Sequence, residues 1–301
     1  MLHLTAGIFG SGAQELAKKL GKAGTINDLA IYNHGSSEGV FTYVCVNSDK
    51  IQTLMQAVSM IDIPVLAISE LTASVGEQIV AIAEFGFDKG FILLDGLSEE
   101  QIAPLVKGTC IEKFSVVKDS VSLVEEMKKI HIERGGELMI PIDNYFNVKS
   151  VGTVALGLVK SGGLKKYDKV MIEPIGKEAV IKGIQSQDKD LDQTEPGMRV
   201  GLNLKGIEAD ELKRGCIVCN AARKSRSLKL KFQKSRYSRE QLRENDPIFF
   251  SAGLFVTAAK VKSAGETLEL DCEHEICLTE KLLIATTKQN LPRIIGHGTP
   301  D

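Results

Sequence analysis

Gly7-Ile8-Phe9-Gly10-Ser11-Gly12-Ala13-Gln14 is a stretch whose spacing suits phosphate binding. A glycine, four residues and a second glycine, set where a strand opens onto a helix, let backbone N–H groups surround an anion. The next two positions should carry a lysine for the phosphates and a hydroxyl for magnesium, but they are Ala13 and Gln14. Gly7, Gly10 and Gly12 therefore read either as a degenerate phosphate loop or as the glycines of a tight strand-to-helix turn. Cys216-Ile-Val-Cys219 lies in an apolar run, where a spacing of three puts the two thiols on opposite strand faces, as buried small hydrophobes. Cys272-Glu-His-Glu-Ile-Cys277 places Cys277 on the face opposite Cys272 and His274, a poor tetrahedral set. No metal ligand and no catalytic residue is expected. The densest charge is basic: Arg223, Lys224, Arg226, Lys229, Lys231, Lys234, Arg236 and Arg239, with no acid among them and with Phe232 and Tyr237 interleaved. Clustered cations with aromatics suit phosphate contact and base stacking. Strict alternation over 227–232 also suits a strand with Leu228, Leu230 and Phe232 in a core and Lys229 and Lys231 in solvent. The two readings are compatible, because RNA would sit on a basic solvent face.

The elements that must position these groups follow from periodicity. In residues 1–133, apolar strands at 4–9, 41–46, 65–69, 90–94 and 113–117 alternate with amphipathic helices at 14–20, 51–60, 76–85, 98–106 and 121–130. Strand–helix units of this length predict a parallel sheet covered on both faces. Residues 1–130 hold 16 Asp and Glu against 10 Lys and Arg, so this part is acidic and shows no RNA-binding face. From 134 to 222 the runs 151–159, 169–173, 179–186 and 199–205 alternate apolar and polar residues between Gly, Pro, Asn and Asp turns, the pattern of a small antiparallel barrel. Residues 223–301 repeat it at 248–252, 254–261, 266–270, 275–279, 281–286 and 292–295. The expected fold is multidomain: a P-loop-like α/β domain with a parallel sheet, then two small antiparallel β-barrels. A chain of 301 residues with 43% hydrophobic and 25% charged residues and a net charge of −2 has the composition of an ordinary soluble protein. No run is long enough to span a bilayer, and the first residues lack the order of a signal peptide, so a cytoplasmic protein with free thiols and no membrane partner is expected.

Three segments in order carry a family resemblance: Pro141-Ile-Asp-Asn-Tyr-Phe146, then SVGTVALGLVKSGGLKKYDKV, then GMRVGLNLKGIEADELKRG. Together they resemble the second domain of translational GTPases of the elongation factor Tu type, most of all the archaeal selenocysteine-specific factor. Arg293-Ile-Ile-Gly-His-Gly298 resembles the close of the third domain in that factor and in the gamma subunit of archaeal initiation factor two, except for His297. No segment like the winged-helix extension of the selenocysteine factors follows, which puts selenocysteine delivery in question. The resemblance implies an aminoacyl pocket at Asp143, Asn144 and Phe146, with Arg199 matching the arginine used towards a selenolate. The residues themselves equally allow Asp143 and Arg199 to pair with each other.

Carried into the first domain, the resemblance implies further departures. The strand ending Cys45-Val-Asn-Ser-Asp49 lacks the magnesium-orienting Asp at Cys45 and the water-positioning His at Asp49. Leu94-Asp-Gly-Leu97 stands where the guanine-reading Asn-Lys-x-Asp belongs, and about nine residues separate the first helix from Ala30, too few for the long first switch. Losing the lysine and the metal contacts removes the groups that stabilise charge in phosphoryl transfer. The expected protein is an elongation-factor-like binding module with a degenerate GTPase domain. It would contact tRNA, the ribosome or another translation factor, without DNA and without hydrolysing GTP. The alternative is a divergent, active GTPase that binds GTP or GDP with magnesium. A scaffold that binds protein through its acidic first domain is a third reading.

Overall fold

The computed structural model describes residues 1–300. The first domain comprises β1 (Leu2–Phe9), α1 (Ala13–Leu20), β2 (Lys22–Ile26), β3 (Leu29–Gly35), β4 (Gly39–Val46), α2 (Ile51–Met60), β5 (Ile63–Ile68), α3 (Ala73–Phe85), β6 (Phe91–Leu94), α4 (Glu99–Val106), β7 (Ser115–Val117) and α5 (Ser120–Lys128). Its sheet runs β2-β3-β4-β1-β5-β6-β7. The strands from β4 to β7 are parallel, and β5 is apolar and buried along its whole length, as a strand covered on both faces must be. Helix starts are fixed by Thr72, which accepts the Val75 N–H, by Ser98 and Gln101 as a capping box, and by Asp119, which accepts the N–H groups of Val121 and Ser122.

The sheet is mixed where the sequence predicted parallel strands alone. β2 and β3 form an antiparallel hairpin along β4. The residues after α1 are too few for a long switch segment, but they suffice for two short strands joined by the Asn27-Asp28 turn.

The second domain comprises β8 (Met139–Val148), β9 (Gly152–Leu158), β10 (Lys169–Glu173), β11 (Lys177–Ser186), β12 (Lys189–Leu191), β13 (Arg199–Lys205) and β14 (Ile217–Cys219). The order β10-β14-β8-β9-β13-β11 closes through β10–β11 into a six-stranded barrel, with β12 appended to β11. Cys216 packs inside with Val218, while Cys219 lies in a separate cluster with Cys277 of the third domain. That domain comprises β15 (Lys224–Lys234), β16 (Pro247–Ala252), β17 (Phe255–Ala264), β18 (Thr267–Cys277), β19 (Leu282–Thr286) and β20 (Ile294–Pro300), closed as β15-β18-β17-β16-β19-β20. The stretches 266–270 and 275–279, expected as two strands, belong to one. The polar residues Asp271 to Glu275 do not break β18, because β15 pairs on both sides of them across a bulge at Ser225 to Ser227.

The third domain shares a hydrophobic core with the first: Leu254, Leu283, Ala285 and Ile294 pack with Ile79, Val80 and Leu54 of α2 and α3. Among the described residues no helix is long and apolar enough to cross a membrane.

Candidate functional site

The glycine turn comes first. Gly7 lies inside β1, where a Cβ would stand 2.6 Å from the Phe9 ring and 2.7 Å from Ile61, so close packing requires the glycine. Gly10 has φ +100°, and a Cβ there would stand 2.2 Å from the Ala67 carbonyl oxygen. The loop of residues 10–12 is therefore pressed against the end of β5, and its donors point inward. The Gly10 N–H donates to Gln78 Oε1 of α3 at 2.7 Å and the Gly12 N–H to the Ala67 carbonyl at 3.0 Å. Ser11 Oγ in turn accepts the N–H groups of Ser69 and Glu70, each at 2.9 Å. A phosphate cradle needs such N–H groups free.

The positions that fail the motif have other partners. Gln14 donates to the Val46 carbonyl at 3.3 Å and accepts from the Tyr32 hydroxyl at 3.2 Å, tying α1 to the hairpin and to β4. Cys45 is fully buried and its thiol donates to the Ala13 carbonyl. Burial pushes that thiol up to about 12, so it offers no thiolate to a cation at neutral pH.

A second feature is the cleft of about 810 Å³ between the β2–β3 hairpin and the barrel. Lys22, Thr25 and Asn33 line one wall; Phe146, Leu156 and Arg199 line the other. Phe146 is half exposed there, whereas the Asn144 side chain accepts the N–H of Tyr145. Register slips between Ile142 and Asn144 of β8, so Asp143 is the extra residue of a bulge, a device that re-aims a side chain. Its carboxylate is 3% exposed and takes both arms of Arg199, Nε to Oδ2 at 3.0 Å and Nη2 to Oδ1 at 2.7 Å. Of the two arrangements the sequence allowed, the residues adopt the mutual pairing, and Arg199 presents a neutralised guanidinium to the cleft.

Arg214, which the sequence reading passed over, binds behind them. It donates to both oxygens of Asp28 at 2.7 and 2.8 Å, to Gln56 Oε1 at 3.0 Å and to the Asp143 carbonyl at 2.9 Å. Hydrogen bonds from Arg214 hold the Asp28 carboxyl down from its ordinary 3.8 to about 2, with Thr53 helping and burial opposing. A depressed carboxyl stabilises the fold above its unfolded value and loses that contribution as pH falls through the folded one. The wild-type advantage over Asp28→Asn should therefore be full above about pH 4 and vanish near pH 2. Urea midpoints of both proteins across that window check it, and a modest difference is expected because Asp28 is partly solvated.

The basic run is only partly free. Lys224 bonds Glu173 at 3.0 Å and Glu275 at 3.4 Å. Arg236 donates to the Lys107 carbonyl and lies 4.7 Å over the Tyr237 ring, whose hydroxyl donates to the Leu105 carbonyl at 2.7 Å. Phe232 packs on the barrel core, so both interleaved aromatics are engaged internally. Lys229 stands opposite Glu269 on β18 and Lys231 opposite Thr267. Arg223, Arg226, Lys229, Lys231, Lys234 and Arg239 are exposed.

Further contacts join the domains. Arg134 and Lys160 converge on Asp62 at 2.6 and 3.7 Å, and Arg293 of the third domain grips Glu77 of α3 at 3.0 and 2.5 Å. His297, the departure in the closing motif, bonds Glu84 of α3 at 2.9 Å. Arg214 and Arg293 both fall inside motif runs visible in the sequence, but their partners lie between 71 and 244 positions away.

The family model for elongation factor Tu domain 2 matches residues 152–219. The uncharacterized protein MJ0325 of Methanocaldococcus jannaschii is 31% identical over 308 residues, covering 99% of both chains. Elongation factor 1-alpha of Saccharolobus solfataricus is 40% identical over 81 residues, which are 27% of this chain and 19% of that protein. Among solved structures, a bacterial selenocysteine-specific elongation factor superposes with TM-score 0.83 at 20% identity, over all of this chain and 58% of the other. The translation elongation factor SelB of Methanococcus maripaludis, bound to a GTP analogue, superposes with TM-score 0.82 at 19% identity, over 99% of this chain and 79% of the other. At these identities the superpositions carry the fold.

Proposed function

We propose, from the premise that this chain belongs to the translational GTPase family of the elongation factor Tu type, that it is a translation factor whose first domain has ceased to be a nucleotide switch. It works as a binding module for tRNA, with the cleft between hairpin and barrel as the seat of the acylated 3′ end. One observation carries this reading: the N–H groups of Gly10 and Gly12 are taken by Gln78 and Ala67, where a phosphate would need them. Ala13, Gln14 and Cys45 add no cation, hydroxyl or carboxylate in their place. The wall of the cleft keeps an exposed aromatic, Phe146, suited to stacking on a base or packing on an acyl side chain. The exposed cations of β15 suit the phosphates of the same RNA.

Fluorescence anisotropy with labelled aminoacyl-tRNA tests this reading. The expected result is binding that falls steeply with salt, weakens roughly tenfold or more when Arg223, Arg226 and Lys229 are changed to Glu, and is the same with or without GTP and magnesium. Binding that appears only with GTP would overturn it. A protein that ignores tRNA but pelletes with ribosomes or captures another factor would move the partner and leave the dead switch standing.

A further inference from the structure

We infer that Arg214 is the positioning residue that sets the width of the cleft. The two walls belong to different domains, and each ends on this one guanidinium. Asp28 occupies the turn of the β2–β3 hairpin and is held by two hydrogen bonds, at 2.7 and 2.8 Å. The opposite wall is held through the Asp143 carbonyl at 2.9 Å, on the bulge whose carboxylate fixes Arg199. A third arm reaches Gln56 of α2 at 3.0 Å, and Gln56 passes the link on to the Leu254 carbonyl of the third domain at 3.0 Å. A planar guanidinium with a fixed fork of donors serves three directions at once; an ammonium is a point charge and does not.

The backbone is shaped for this. Arg214 precedes Gly215, which has φ +93°, and a Cβ on that glycine would stand 2.4 Å from Phe255. The turn therefore lies against the third domain, and the side chain beside it is brought to the meeting point of all three. Within its own domain the hairpin is held by the pairing of β3 with β4 and by the bonds of Asn47 and Thr53 to its turn, but toward the barrel, among the described residues, its hydrogen bonds are those of Asp28 with Arg214. β2, the outer strand of the sheet and exposed along most of its length, adds no hydrogen bond to the barrel. The link from the width to ligand affinity rests on the proposed use of the cleft; the link from Arg214 to the width does not.

The test is a distance across the cleft in the full chain. Nitroxides are placed at Ile26→Cys on the hairpin and Lys189→Cys on the barrel, in a Cys110→Ser, Cys272→Ser background that silences the two partly exposed thiols. Pulsed dipolar spectroscopy should give one narrow distribution for Arg214, broadened roughly twofold in Arg214→Met and Asp28→Asn and partly narrowed again in Arg214→Lys. Gln56→Ala cuts only the arm toward the third domain and should leave the distribution narrow. A general loss of stability would not sort the variants this way. An unchanged distribution in both Arg214→Met and Asp28→Asn overturns the inference, and Asp28→Asn alone decides it should Arg214→Met fail to fold. With aminoacyl-tRNA as the probe, Arg214→Met should bind about tenfold more weakly, because the wall is no longer preorganised. A wild type that binds no tRNA sinks the reading of the site and leaves the distance result to stand by itself.

Discussion

Arg199→Met should destabilise the protein by roughly 3–5 kcal/mol, the range for removing one partner of a buried ion pair. The size follows from what is left behind. Asp143 is 3% exposed, and Arg199 supplies both hydrogen bonds that satisfy its carboxylate. An ionised carboxylate stranded in the barrel wall is a far larger loss than the bonds themselves. Removing both charges in Arg199→Met, Asp143→Asn should recover much of the stability, because a neutral pair needs no counter-ion. Urea unfolding followed by circular dichroism gives both values. A loss below about 1 kcal/mol for Arg199→Met would mean that the pair behaves as a surface salt bridge.

Arg293→Met should cost roughly 3 kcal/mol, at the low end of the same range. Glu77 is 4% exposed and loses the Nε and Nη2 bonds of the guanidinium, but it keeps the Arg293 backbone N–H at 2.6 Å. The effect should fall on the junction of the first and third domains. Arg293 also reaches the Asp49 carbonyl at 2.9 Å, and Ile294 beside it belongs to the core those domains share. A double-mutant cycle with Glu77→Gln should return a coupling of about 1–3 kcal/mol. Additive losses would show that the two side chains do not sense each other.

The barrels were legible because half-buried strands write their register as strict alternation. The runs at 169–173 and 199–205 coincide with β10 and β13, residue for residue. Where the pattern weakened, the reading weakened with it. The β2–β3 hairpin carries a bulge between Ala23 and Ile26 and little apolar alternation, and the acidic middle of β18 looks like a turn until β15 is seen beside it. The site divides in the same way. The resemblance pointed to Asp143 and Arg199, and the residues allowed either ligand contact or mutual pairing; what decides for the pairing is a one-residue bulge and a contact 56 positions apart, which the sequence does not display. Arg214 escaped because its partners come from a hairpin turn, a helix and a bulge. The sequence showed the missing lysine; that Gln78 fills the glycine turn from inside required the packing of α3.

The central claim is that the first domain holds no nucleotide. Calorimetric titration of the purified protein with GTP and with GDP, in magnesium, tests it directly. With the N–H groups of residues 10 and 12 engaged and no lysine beside them, no heat of binding is expected at ligand concentrations up to about 1 mM, a binding free energy no better than about −4 kcal/mol. Micromolar binding that disappears when magnesium is chelated would contradict it, since the glycine turn would then have to open and release Gln78.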